Sequence, residues 1–66
     1  MMKRSIRISH HSTSISLEAE FWDELKKLAA RDGVSLNELV TRIDAGRSGN
    51  LSSALRLYVL KRLKEA

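Results

Sequence analysis

The sequence predicts a mainly α-helical fold with one short β-strand per chain, followed by three helices. Residues 14–17 alternate polar and apolar side chains, which is typical of a half-buried strand. Two segments divided by Gly33 then repeat apolar side chains at helical spacing, and a third does so after a loop with two glycines. The predicted elements of this single domain, residues 12–66, are a strand over 12–17 and helices over about 18–32, 36–45 and 51–64.

Alternation in the strand separates its two faces. Ile15 and Leu17 fall on one face, and Ser12, Ser14 and Ser16 fall on the other. A lone strand cannot satisfy its backbone hydrogen bonds inside so short a chain, so it needs a partner strand. We expect a second copy of the chain to supply that strand.

The first helix has an apolar face and a clear end. Gly33 suits its carboxyl end, because glycine adopts the left-handed conformation without steric cost. Trp22 lies beside the apolar face, and we expect it to pack at a helix–helix or subunit contact. The face itself repeats at helical spacing and consists of Phe21, Leu25, Leu28 and Ala29.

The second and third helices each begin at a capping residue. Ser35 is expected to cap the second helix, and Glu38 three residues later completes a capping box. Asn50 is expected to cap the third helix. Apolar side chains cover more than one stripe of that helix, so we expect one side of it to face a partner subunit. Its cations are expected on a solvated face: Arg56, Lys61, Arg62 and Lys64.

Length and composition limit the ways in which this chain can be stabilised. Chains of about this size bury only about 60% of their unfolded surface, so many need disulfides, metal ions or oligomerisation. No cysteine is present, which excludes disulfides and thiolate zinc sites. His10 and His11 are adjacent and would point apart on a strand, so we expect no metal site. Oligomerisation remains, and we expect a homodimer.

Catalysis, cofactor binding and membrane insertion are not expected. The sequence has no evident pair of carboxylates facing a pocket and no evident nucleophile–base pair. A chain of 66 residues also leaves little room for a sizeable cleft. The apolar runs are too short to cross a membrane and no signal peptide is evident, so a cytoplasmic protein is expected.

Positive charge is concentrated at the amino terminus. The net charge is +4, and Lys3, Arg4 and Arg7 lie within residues 1–16, where no acidic residue occurs. The remaining residues hold nine basic and eight acidic side chains, which is close to balance. We therefore predict a basic amino-terminal arm over residues 1–11 and a polyanionic partner. An idle, solubilising terminus is the alternative.

Ile6 and Ile8 alternate with polar residues inside this arm and leave three conformations open. Their positions are even, whereas Ile15 and Leu17 are odd, so one flat strand cannot place all four on one face. A bulge near residues 10–12 could reset the alternation, or the arm could be separate. A hairpin with its turn at residues 10–13 is the third alternative, although that segment has no Gly, Pro, Asn or Asp.

The order of strand, helix, glycine and capped helix resembles the ribbon-helix-helix repressors, the Arc- and MetJ-type family. The resemblance covers roughly residues 12–45, and the third helix is additional to the family's minimal pattern. It rests on Ser12-Thr13-Ser14-Ile15-Ser16-Leu17-Glu18 and Gly33-Val34-Ser35-Leu36-Asn37-Glu38-Leu39, with Phe21, Leu25 and Leu28 between them.

The resemblance implies an intertwined homodimer that binds double-stranded DNA. One strand from each chain pairs antiparallel, and the resulting two-stranded ribbon enters the major groove. Outward strand residues of this family read bases, and those positions fall on Ser12, Ser14 and Ser16.

Two groups of residues are expected to contact phosphates. The family holds a phosphate at the amino end of its second helix, where backbone N–H groups are free. That position falls on Ser35, Leu36 and Asn37. The basic arm would add contacts from Lys3, Arg4 and Arg7.

The predicted function is a sequence-specific, DNA-binding transcriptional regulator of the repressor type. The alternative is a protein-interaction module or antitoxin-like protein that keeps the dimer fold and binds a protein partner through the carboxy-terminal helix. The serine face favours the alternative, because serine discriminates bases poorly, whereas the basic arm favours DNA.

A second register of the resemblance is also open. In it, the segment from Gly49 to Leu55 is the family's second helix and residues 35–46 are an insertion. We prefer the first register, because its spacing from the first helix through Gly33 to the second helix is closer to the family pattern.

Overall fold

Two antiparallel strands precede three helices in the computed structural model, which describes residues 1–8, 11–46 and 49–65. The order of the elements is β1 (Met2–Ile8), β2 (His11–Leu17), α1 (Ala19–Asp32), α2 (Leu36–Ala45) and α3 (Leu51–Glu65). The three predicted helices agree with the structure to within one residue at each end, and β2 begins one residue before the predicted strand.

The amino-terminal segment differs from the prediction. Instead of a separate arm over residues 1–11, Met2–Ile8 forms β1, so the chain contains two strands rather than one. β1 pairs with β2 of the same chain, from Met2 opposite Leu17 to Ile8 opposite His11. The partner strand of the ribbon is therefore supplied within the chain.

This register resolves the conflict between even and odd apolar positions. Even residues of β1 pair with odd residues of β2, so Ile6 and Ile8 lie on the same face as Ile15 and Leu17. The third alternative, a hairpin, is the one found, although residues 11–13 of the predicted turn lie in β2. The connecting residues 9 and 10 lie outside the described residues.

The inner face of the ribbon packs against all three helices. α2 and α3 both contact the ribbon, with α2 beside β1 and α3 beside β2. The buried side chains form one cluster: Ile6, Ile8, Ile15, Leu17, Trp22, Leu25, Leu28, Ala29, Leu39, Val40, Leu55 and Val59. The ribbon thus supplies one wall of a core that closes within a single chain.

Local signals end and begin the helices as predicted. Gly33 adopts the left-handed conformation, with φ of 72°, after α1. Ser35 caps α2, its hydroxyl accepting a hydrogen bond of 3.0 Å from the backbone N–H of Glu38. Asn50 caps α3 through its side-chain oxygen, which accepts from the N–H of Ser53 at 3.2 Å. Such caps typically contribute about 1 kcal/mol each.

Two arginines of α3 do not lie on the solvated face predicted for them. Arg56 and Arg62 are half-buried and form two-point ion pairs with the N-cap residue and the last residue of α1. Arg56 binds Glu18 at 3.0 and 3.3 Å, and Arg62 binds Asp32 at 3.0 and 3.1 Å. These hydrogen bonds hold the pKa of both carboxyl groups below their usual values. The two pairs fix α3 along α1.

Candidate functional site

The outer face of the ribbon combines the serines of β2 with the basic residues of β1. All the residues on this face are exposed. They form three cross-strand pairs: Lys3 with Ser16, Ser5 with Ser14, and Arg7 with Ser12. The sequence predicts the serines in a strand and the cations in a separate arm, whereas the hairpin brings them onto one surface.

Alternation in each strand determines which side chains stand on this outer face. The side chains of Ile6 and Ile15 point into the core, so their neighbours point outward. Within the two described strands the outer face carries two cations and no carboxylate. Lys3 and Arg7 are its only long side chains, because every other member is serine.

Arg4 is separated from the other two cations of β1. It is half-buried on the helix-facing side, where its guanidinium lies 5.7 Å from the ring centroid of Trp22. The indole N–H of Trp22 also donates to the carbonyl of Met2 at 2.9 Å. Trp22 is 1% exposed, which agrees with its predicted packing role. Arg4 therefore packs on the tryptophan rather than joining the outer face.

Asn37 connects the first turn of α2 to strand β1. Its side-chain oxygen accepts from the backbone N–H of Arg7 at 3.0 Å, and its amide donates to the carbonyl of Arg7 at 2.7 Å. The side chain therefore satisfies both main-chain groups of one residue at the edge of the ribbon. The amino end of α2 lies beside Arg7 as a result.

The side chains at the amino end of α2 are engaged within the domain. Ser35 uses its hydroxyl for the cap, and Leu36 is half-buried against the core. The side chain of Asn37 is occupied by Arg7, which leaves the backbone of these residues as the source of any phosphate contact. The N–H groups of a first helical turn carry positive potential.

A family comparison identifies this arrangement. The sequence profile described as "Ribbon-helix-helix domain" matches residues 1–63. The chain belongs to the ribbon-helix-helix family. Members of the family are generally DNA-binding regulators or antitoxins.

A solved structure has the same fold as this ribbon-helix-helix domain. An uncharacterized protein from Bordetella pertussis Tohama I superposes with a TM-score of 0.81 at 35% sequence identity. The match covers 94% of this chain and 54% of that chain, so the ribbon-helix-helix domain spans about half the length of that protein. No curated protein sequence matches at a significant level.

The third helix of the ribbon-helix-helix domain has a second, uncovered apolar side. Leu55 and Val59 are buried against the core, whereas Leu57, Leu60 and Leu63 are 55%, 48% and 53% exposed. We call these three exposed side chains the leucine stripe. Leu57 also lines a cleft of about 550 Å³ between α2 and α3. The prediction that α3 is apolar on two sides agrees with this distribution.

Metal and membrane features are not evident in the part of the chain that is described. Among residues 1–8, 11–46 and 49–65, no cluster of three His, Cys, Asp or Glu side chains could hold a metal ion. No helix within those ranges is long and apolar enough to cross a bilayer. His10 falls outside the described residues, and His11 is exposed at the start of β2.

One residue of the site, Ser5, and one contact, that of Asn37 with Arg7, lie outside the predictions from sequence. Ser5 was not assigned to the outer face, because residues 1–11 were predicted as an arm. The alternation of Ser5 and Arg7 with Ile6 and Ile8 is the signal for this strand, and it left a bulge, a separate arm and a hairpin open. Asn37 was expected to contact phosphate, and no local signal indicates its bonds to a backbone 30 positions away.

Proposed function

We propose that this ribbon-helix-helix domain is a sequence-specific, DNA-binding transcriptional regulator that acts in the cytoplasm. The outer face of the ribbon enters the major groove of double-stranded DNA. The observation that carries this proposal is the exposed face on which two cations stand among four serines without a carboxylate. A two-stranded ribbon has the width that the major groove admits.

Base and phosphate contacts come from different parts of the domain in this proposal. Ser12, Ser14 and Ser16 lie against base edges, where a hydroxyl can donate or accept a hydrogen bond. The backbone N–H groups at residues 35–37 hold a phosphate beside the ribbon. Phosphate contacts position the protein and base contacts specify the sequence. Arg4 is not included, because its guanidinium packs on Trp22.

An added carboxylate at the centre of the outer face tests this function. We expect Ser14→Glu to lower the affinity for any DNA duplex by about tenfold or more, because it sets a negative charge against phosphates and base acceptors. The measurement is fluorescence anisotropy with a labelled duplex at several salt concentrations. For the unmodified protein, the logarithm of the association constant should fall linearly with the logarithm of the salt concentration.

The matched control places the same charge away from the ribbon. Ala30→Glu adds one carboxylate to an exposed position of α1. This variant should lose much less affinity than Ser14→Glu, since its added charge lies on a different surface. Equal losses for both variants would mean that net charge, not the ribbon, governs binding. No binding of the unmodified protein to any duplex would refute the proposed function.

A homodimer is the second part of the proposal. The hairpin removes one reason for expecting a dimer, since β2 already has a partner strand. The leucine stripe supplies the remaining reason, because three half-exposed leucines lie in a line on the outer side of α3. We propose that a second copy of the chain covers this stripe with its own α3, which makes the contact self-complementary.

Leu60→Glu should convert this dimer to a monomer without unfolding it. The change places a carboxylate at the centre of the leucine stripe, where it would be buried on association. Sedimentation at micromolar concentration should give twice the 7.5 kDa chain mass for the unmodified protein and one chain mass for the variant. Ala30→Glu is again the control and should remain dimeric.

A monomeric unmodified protein would contradict the homodimer. The leucine stripe would then favour the second candidate function, a module that binds a different protein through α3. Exposed apolar patches on small domains commonly mark such contacts.

A further inference from the structure

We propose that Arg7 and Lys3 read bases beside the serines and carry the larger part of the sequence recognition, each by binding a guanine. This inference rests on the proposed DNA-binding function and names the sites that the ribbon prefers. Arginine and lysine pair with the O6 and N7 acceptors of guanine in the major groove, and the arginine contact is the commonest specific one. Serine can donate or accept and therefore separates the four base pairs poorly.

The longer side chains of Lys3 and Arg7 favour these two residues over the serines as the contacts to base edges. Arg7 stands opposite Ser12, and Lys3 stands opposite Ser16, so each long side chain has a short neighbour across the ribbon. Ser5 and Ser14 form the pair between them. A guanidinium or ammonium group at these positions extends beyond the hydroxyls and meets the base edges first. No carboxylate on the described strands neutralises either cation at this face.

Asn37 fixes the backbone from which Arg7 projects. The two hydrogen bonds between the Asn37 side chain and the main chain of Arg7 measure 3.0 and 2.7 Å and hold both polar groups of the residue. Base recognition requires the reading side chain to start from a defined position. We assign Asn37 as a positioning residue, which also sets the distance between Arg7 and the amino end of α2.

The spacing of the two cations predicts the spacing of the two guanines. Four residues separate Lys3 from Arg7 on one strand, which corresponds to about 13 Å at roughly 3.3 Å per residue. Successive base pairs rise about 3.4 Å along DNA. The groove winds around the helix axis, so a ribbon lying along it would contact guanines separated by at most about four base pairs.

Selection of preferred sites from a random pool of DNA duplexes tests this assignment. The unmodified protein should select guanines at two positions at most about four base pairs apart. Arg7→Gln should change the preferred base at one position from guanine to adenine, because glutamine pairs with the N6 and N7 groups of adenine. Lys3→Gln should do the same at the other position. The change in base preference should be about fivefold or more.

Two further variants separate a change in base preference from a change in overall affinity or folding. Lys26→Gln removes one positive charge from an exposed position of α1 and should select the same sites as the unmodified protein. Asn37→Ala should weaken the preference for the Arg7 guanine while the Lys3 guanine is still selected. A purely structural role of Asn37 would instead lower binding to all sequences alike. Circular dichroism checks that each variant is folded.

The outcomes also separate this inference from the proposed function. Identical selected sites for Arg7→Gln and the unmodified protein would overturn the assignment while leaving DNA binding intact. Salt-dependent binding of the unmodified protein without any selected sequence would overturn it as well. Absence of duplex binding at every salt concentration would refute the DNA-binding function itself.

Discussion

Replacing Ile15 with Asp is expected to unfold the domain. Ile15 is 3% exposed in β2, within the cluster that joins the ribbon to the helices. A buried carboxylate without a partner costs several kcal/mol. A single core in a chain of this length rarely supplies more than about 3–5 kcal/mol. The substitution should therefore remove the whole stability margin.

Fluorescence of the single tryptophan reports this unfolding. Trp22 is buried, so its emission should shift to longer wavelength when the core opens. Ser14→Asp is the matched control, since it introduces the same side chain one position away on the exposed face. It should change the free energy of unfolding by only about 0.5 kcal/mol. A cooperative thermal transition retained by Ile15→Asp would show that the ribbon is not part of the core.

Truncation of Trp22 has the second-largest expected effect. The ring is fully enclosed, donates a hydrogen bond to the carbonyl of Met2 and carries the guanidinium of Arg4 above it. Replacing a buried tryptophan with alanine typically costs about 3–5 kcal/mol. Trp22→Ala should therefore lower the urea midpoint severely or abolish the folded state, as followed by circular dichroism.

Trp22→Phe distinguishes packing from the hydrogen bond. Phenylalanine keeps an aromatic ring in the core but cannot donate to Met2, so the loss should be about 1 kcal/mol plus a smaller packing term. Losses of similar size for Trp22→Ala and Trp22→Phe would mean that the indole N–H, rather than the ring, holds β1 to α1. We expect the Trp22→Ala variant to be far less stable than the Trp22→Phe variant.

Because both strands of the ribbon come from one chain, dimerisation is not needed to form the ribbon. A chain whose own two strands pair already presents a ribbon with both strands in place. Its core also closes against its own three helices, with no unpaired buried polar side-chain atom among the described residues. We therefore expect association to add a second reading surface rather than to complete the first. The leucine stripe is where we propose that association occurs.

The three helices could be predicted because their signals are local. Ser35 accepts a bond from a residue three positions away, and Gly33 ends α1 through its own backbone conformation. Apolar side chains repeat within a few turns, so each helix can be recognised without knowing what it contacts. Predicted and observed boundaries agree to within one residue for this reason.

Strand β1 could not be predicted as firmly as the helices, because the evidence for it depends on how it pairs with β2. Ile6 and Ile8 have the wrong parity for a single flat strand, and only an antiparallel register that pairs even with odd positions removes the conflict. The connection also lacks the residues that usually mark a hairpin turn. A basic arm was the simpler interpretation of the same residues.

Sequence patterns predict the family, the three helices with their caps, and the inward and outward faces of β2, since each depends on neighbours within a few positions. Packing of the elements places Lys3 and Arg7 on one surface with the serines, sets Arg4 on Trp22, and joins Asn37 to Arg7. These relations join residues 5 to 30 positions apart. Such contacts depend on how the elements pack, because side-chain periodicity within an element carries no information about the partner it will face.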